Sequence, residues 1–263
     1  MKITGERWTN LVLFTLAGIG LSFFLLPVVS LLFRMPWESV GEVVSNPEIW
    51  NALWISIIVS LSAVVISFVL GFPVAWVITR YPSRWTRIAR VVVLIPMVLP
   101  PIVGGVALLS VFGASSPIGH ALLSLGIRLP FTTLGAVLAV TFVSGPFMII
   151  MLESGMHGLD DRLEHAAEVL GASRWMTIRT IILPGLRPAI IGGMALTWAR
   201  ALGEFGATIA FAGNRPGHTQ TLPLAIYQAL QSDMDRALLI SAELILITVC
   251  LMIFVRSRGI GHQ

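Results

Sequence analysis

Arg200 and Glu204 stand four residues apart in a stretch, 188–214, that carries no other charge. On a helix that offset puts both on one face, where they neutralise each other. An ionisable side chain inside an apolar span costs roughly 2.5–3.5 kcal/mol on insertion scales, so the pair needs a reason to be there. One reading is an internal ion pair that holds the fold. The other is that the two residues flank a wet path for a charged solute. A lone arginine would hold an anion too tightly to release it, and a partner glutamate weakens that attraction, as conduction requires.

Other chemistries are excluded by what is missing. There is no His-Glu-x-x-His, no Gly-x-Ser-x-Gly and no pair of intramembrane aspartates, so no catalytic residue is expected. Lys2 is the sole lysine, and a phosphate-cradling loop needs a lysine on the nucleotide. If ATP drives this protein, another chain binds it. His120, His218 and His262 fall in loops or the tail, and His157 and His165 flank a polar connection. None has metal-ligand spacing with cysteine or carboxylate, so no metal site is expected. Cys250, the single cysteine, lies in an apolar run and excludes an intramolecular disulfide.

The elements that must position these residues are apolar. The 263 residues are 56% hydrophobic and only 11% charged, with a mean hydropathy of +0.89; a soluble domain would be about a quarter charged. The chain is therefore read as a single all-α membrane domain over 1–263. A bilayer core takes about 20 apolar residues per helix. About six transmembrane helices are predicted, at Leu11–Phe33, Leu53–Thr79, Val91–Phe112, Thr132–Leu152, Ala189–Ala212 and Ala237–Val255. The first run is too long for a signal peptide and ends in no small-residue cleavage site. Arg80, Arg84, Arg87 and Arg90 crowd the second connection, and Arg162, Arg174, Arg179 and Arg187 the fourth. Glu38, Glu42 and Glu48 mark the first as external. The arginine rule then puts both termini, with Lys2, Arg7, Arg256 and Arg258, in the cytoplasm. The net charge of +4 forms no basic stripe, and nucleic-acid binding is not expected.

The connection over 156–187 is polar and reads as two short helices. Asp160 or Asp161 can cap the first, Leu163, Ala167 and Leu170 form a narrow apolar stripe, and Gly171 supplies a left-handed end. Ser173 can cap the second, and Pro184 is expected to stop it. By itself this is a helical hairpin lying on the membrane surface. The order Glu164-His165-Ala166-Ala167, three residues, Gly171, nine residues, Ile181-x-Leu183-Pro184 is more specific. It resembles the coupling loop of ABC importer permeases, whose short helix fits a groove on a nucleotide-binding subunit. There is one departure: His165 stands where the family usually has the glutamate directly before the alanines, and Glu164 comes one place earlier.

The segment from Thr197 to Thr208, containing Arg200 and Glu204, resembles the fifth helix of molybdate permease subunits. Gly213-Asn214, Thr219–Tyr227 and Leu99-Pro100-Pro101-Ile102-Val103-Gly104-Gly105 continue the likeness, which sulfate and tungstate permeases share. The resemblance implies a type I ABC importer permease fold with cytoplasmic coupling helices in a prokaryotic plasma membrane. It further implies a homodimer that receives an oxyanion from an extracytoplasmic binding protein, with ATP and its Mg²⁺ on partner ATPase subunits and no cofactor on this chain. The third and fifth helices would line the pathway, with Arg200, Glu204, Thr208, Pro100 and Pro101 along it. Without the resemblance, Pro96, Pro100 and Pro101 make either a simple kink or a gate element, and Ala195, Ala199, Gly203 and Ala207 form a small-residue ridge that packing explains about as well as a pore does. A secondary transporter or channel using Arg200 and Glu204 directly is the alternative. Glu243 has no partner in the sequence and is assigned no role.

Overall fold

The computed structural model describes residues 3–41 and 45–259. Lys2, Glu42 and His262 lie outside them, as do the side chains of Arg7, Asp161, Arg256 and Arg258. The described residues contain helices and no strand. Helix α1 runs over Ile3–Arg34, followed by a 3-10 turn at Trp37–Ser39 and α2 over Pro47–Arg80. Next come α3, Arg84–Val98, α4, Pro101–Phe112, α5, Pro117–Ser124, and α6, Thr133–His157. The polar connection holds α7, Asp161–Val169, and α8, Arg174–Gly185. The remainder is α9, Arg187–Leu202, α10, Gly206–Ala212, α11, Leu222–Leu230, and α12, Met234–Gly259.

The centre of the molecule is α2 packed along α6, with α9 against both. Helix α2 starts cleanly because Asn46 accepts the N–H of Glu48 and Pro47 occupies the first turn. Its 34 residues make a rod of about 51 Å. Ala52, Ser56, Ser60, Ala63, Ser67, Gly71 and Ala75 recur at helical spacing and are all buried. In lipid, where no hydrophobic force drives helices together, such small residues allow the close contact that does. The two rods run the same way, with Ser67 beside Gly145 and Gly71 beside Ile149. Trp198 of α9 donates its indole N–H to Ser60 at 2.9 Å, and the N–H of Leu222 donates to Ser56 at 2.7 Å. At one end of the bundle, Ala75, Met148, Leu152, Met156, Ile182 and Leu186 form an apolar cluster beneath the polar connection. At the other, Ile49, Ala52, Leu222, Ala229, Ala237 and Ile240 close the bundle. The most apolar window of α1 has no buried residue, as suits a helix that faces lipid.

Three described helices are long and apolar enough to cross a membrane, or up to five when bent pairs are joined. The expected span at Ala237–Val255 falls within the 26 residues of α12. Two expected spans need correction. Val91–Phe112 is not one helix with a kink: α3 and α4 turn by 117° at Leu99–Pro100. Two prolines in sequence hold Leu99 and Pro100 extended, with ψ of 141° and 130°. Pro96, by contrast, sits inside α3 without ending it. Ala189–Ala212 is likewise divided, by Gly203-Glu204-Phe205 between α9 and α10. The expected ridge Ala195-Ala199-Gly203-Ala207 therefore does not continue along one helix. The close contact of α9 instead uses Gly193, where a Cβ would come 2.9 Å from the sulfur of Met148 on α6.

Candidate functional site

The first candidate site is the hairpin α7–α8. Asp160 caps α7 by accepting the N–H of Arg162 at 2.9 Å, as its sequence position suggests. Gly171 has φ of +78°, and the N–H of Ala172 returns to the carbonyl of Ala167 at 3.0 Å. A left-handed residue with that 6→1 bond is the Schellman ending, which glycine adopts without Cβ strain. Ser173 then accepts the N–H of Met176 and starts α8. Pro184 does not stop α8, contrary to expectation. A π-helical turn at Ile178–Ile182 precedes it, and this wider turn gives the ring room and absorbs the missing N–H. The helix runs on to Gly185 and bends by 68° into α9 at Leu186.

The residues of this loop face different ways. Ala167 is buried, whereas His165 and Ala166 are exposed. Of the expected apolar stripe only Ala167 is covered: Leu163 is 55% exposed and Leu170 85%, and Val169 beside it is 87% exposed. Glu164 turns inward and forms an ion pair with Arg80 at the end of α2. His165 lies 3.6 Å from Glu168, one turn on. Leu183 is half-buried and Pro184 exposed, both at the root of the hairpin and not on α7. There Gly185 lies against Leu159, where a Cβ would come within 2.7 Å. A second ion pair, Arg90 with Glu153, ties α3 to the end of α6. Neither cross-helix pair is visible in sequence spacing. The signal available was only that each arginine sits beside a span end.

The second candidate site is where the two broken spans meet. A Cβ on Gly206 would stand 2.9 Å from the Cβ of Pro101 and 3.0 Å from the backbone nitrogen of Ile102. One on Gly105 would stand 2.8 Å from the carbonyl oxygen of Ala207. Helices α4 and α10 thus pack side by side from their first turns. Glu204 lies in the break, 2% exposed. One carboxylate oxygen accepts the N–H of Ala207 at 2.8 Å, capping α10. The other meets Arg200 at 2.6 Å. The carboxylate therefore does the work of a helix cap as well as of a counter-ion, a role that its spacing from Arg200 did not indicate. Arg200 keeps 28% of its side chain exposed, and Pro100 is exposed. Thr208, expected along the same path, is fully buried. Its hydroxyl gives no surface to a pathway within one subunit.

Among the described residues no cluster of three His, Cys, Asp or Glu side chains could hold a metal ion. His120 and His218 are exposed, and so is Cys250.

Residues 67–257 match the family described as "Binding-protein-dependent transport system inner membrane component". A molybdenum transport system permease protein ModB of Mycobacterium bovis is 38% identical over 252 residues, covering 96% of this chain and 94% of that protein. The Escherichia coli K12 protein of the same name is 40% identical over 213 residues, covering 79% and 93%. The sulfate transport system permease protein CysT of Escherichia coli K12 is 34% identical over 249 residues, covering 92% and 90%. Among solved structures, a bacterial ABC transporter involved in alginate import has a chain that superposes with a TM-score of 0.76, covering all of both chains at 17% identity. At that identity the likeness concerns the fold, here that of a type I ABC importer permease. With the family match covering most of the chain and relatives at 34–40% identity over 79–96% of it, the chain belongs to the binding-protein-dependent inner membrane permeases, within the group that holds the molybdenum and sulfate permeases.

Proposed function

We propose that this protein is the membrane-spanning subunit of an importer for a tetrahedral oxyanion, molybdate before tungstate or sulfate. It works as a homodimer with two ATPase subunits that carry ATP and Mg²⁺. An extracytoplasmic binding protein delivers the anion at the end near Leu222 and Ile240, and the hairpin α7–α8 faces the cytoplasm with both termini. The choice of molybdate is supported by relatives named for molybdenum transport at 38% and 40% identity, against 34% for the sulfate permease.

The observation that carries the reading is the bare apolar end of α7. Val169 and Leu170 are 87% and 85% exposed on a short helix bearing Arg162, Glu164, His165 and Glu168. Apolar side chains exposed on such a helix fit a groove on a partner, which they enter by helix-in-groove packing. His165 and Ala166 lie on the open side with them. On this reading ATP binding draws two hairpins together and favours the outward-open state, and hydrolysis restores the inward one. The nucleotide acts through its different affinity for the two states. The meeting point of α4 and α10, with Arg200 at its edge, lies beside the anion's path.

The test is reconstitution in proteoliposomes with its cognate ATPase and binding protein, followed by uptake of radiolabelled molybdate, tungstate and sulfate. ATP-dependent molybdate uptake that excess sulfate does not suppress supports the reading. Uptake of sulfate alone overturns the substrate, and uptake that ignores ATP and follows an ion gradient overturns the class.

A further inference from the structure

We infer that the Arg80–Glu164 ion pair is the strut that transmits displacement of the docking hairpin to α2, and that Glu164 is consequently a positioning residue and not a contact with the ATPase. The inference rests on the proposed docking of α7 with an ATPase subunit, and it gives Glu164 and His165 opposite duties.

The geometry carries it in three steps. First, α7 is held to the bundle by little. Among its described side chains most are exposed, Ala167 is buried, and Glu164 turns inward to Arg80. Second, the pair is sheltered. The side chains are 21% and 18% exposed, and the Arg80 guanidinium lies over the Trp76 ring, 5.4 Å from its centroid. A sheltered, oriented arginine resists rotation and screening better than a surface pair does. Beside it is a cavity of about 340 Å³ lined by Trp76, Tyr81, Glu168, Arg174 and Thr177. Third, Arg80 is the last residue of an unbroken 34-residue helix. Tyr81-Pro82 ends that helix directly afterwards, so force at Arg80 acts along α2 and not into a loop.

What α2 would move lies at its other end. Ser56 accepts the N–H of Leu222 at the start of α11, and Glu48 pairs with Arg236 of α12 at 3.0 Å. The hairpin and the opposite face are thus connected by one continuous helix, which runs on through Pro73, with a polar contact toward each end. A rigid element that both sites bias is the physical form that coupling between distant sites takes. His165, 78% exposed, is left free to face the partner.

The experiment uses the reconstituted complex of permease, ATPase and binding protein, with molybdate as the transported probe. For Glu164→Gln and Arg80→Gln, the ATPase should still co-purify, and molybdate moved per ATP hydrolysed should fall about 5- to 100-fold, the span of ordinary coupling energies. The exchange Arg80→Glu with Glu164→Arg should recover most of that loss; a merely structural pair would instead lower the yield of folded complex and leave molybdate moved per ATP unchanged in what remains. Proximity is read separately from activity: in a Cys250→Ser background, Arg80→Cys with Glu164→Cys should cross-link with a short bismaleimide in native membranes. Loss of co-purification in Glu164→Gln, unchanged coupling in both single variants, no recovery on exchange, or no cross-link would each overturn the strut. If wild-type protein itself shows no ATP-dependent uptake, it is the functional reading that has failed.

Discussion

Gly206 and Pro101 touch across the two places where the chain's third and fifth apolar stretches break, with only 2.9 Å between the Pro101 Cβ and the position a Cβ on residue 206 would take. The backbone nitrogen of Ile102 is as near, at 3.0 Å, so a side chain at 206 cannot be accommodated by turning a flexible neighbour. The contact joins the first turns of α4 and α10 and puts the Arg200–Glu204 pair at the same junction.

Gly206→Val should therefore destabilise the folded protein by about 1–3 kcal/mol through overpacking, and Gly206→Ala by less. Thermal unfolding of detergent-purified protein checks the order. Equal melting temperatures for wild type and Gly206→Val would contradict the close contact.

Arg200 and Glu204 should not tolerate neutralisation equally. Removing the arginine leaves a carboxylate that is 1% exposed without its counter-ion, whereas removing the glutamate charge leaves an arginine that is 28% exposed. Breaking a buried pair costs about 3–5 kcal/mol when the stranded charge stays buried, and less when it can reach water. Arg200→Gln should thus lower the yield of folded protein more than Glu204→Gln does, and the double variant should recover much of the loss. Fluorescence-detected size-exclusion chromatography of the three variants gives the ranking.

The turn at Gly171 sets the angle between α7 and α8. Its φ of +78° costs an L-residue about 1–2 kcal/mol and is closed to proline, whose φ is held near −65°. Gly171→Ala should weaken ATPase co-purification modestly and Gly171→Pro should abolish it, while total folded permease changes little. If both variants retain wild-type binding, the hairpin is not the docking element.

Leu170→Asp offers a cleaner test of the surface. At 85% exposure the side chain contributes almost nothing to the fold, so stability should stay within about 0.5 kcal/mol of wild type. ATPase co-purification should fall at least tenfold, the effect of a charge in an apolar groove worth about 1.4 kcal/mol or more. Ser22→Asp on the lipid-facing α1 is the control, expected to reduce membrane insertion and leave docking of the inserted protein alone.

Much of the hairpin was legible because its determinants are local. Asp160, Gly171 and Ser173 act on backbone groups no more than five residues away, and such short-range hydrogen bonding follows from residue type and order. Pro184 misled, because whether a proline ends a helix depends on the turn before it. Here a π-turn was available.

Composition alone determined that this chain lives in a membrane, since so few charges cannot cover a water-facing surface. The order of residues around Glu164 and Gly171 determined that a capped hairpin leaves it. Only the tertiary structure decided that Glu164 turns in to Arg80, 84 positions earlier, while His165 turns out. It also decided that Pro101 and Gly206 meet, and that Glu204 caps a helix as well as facing Arg200. These relations join residues distant in the chain, or a side chain to a helix start created by a break, and helical periodicity carries no information about either. They follow from which small residues let α2, α6 and α9 approach, a property of facing surfaces that no one segment contains.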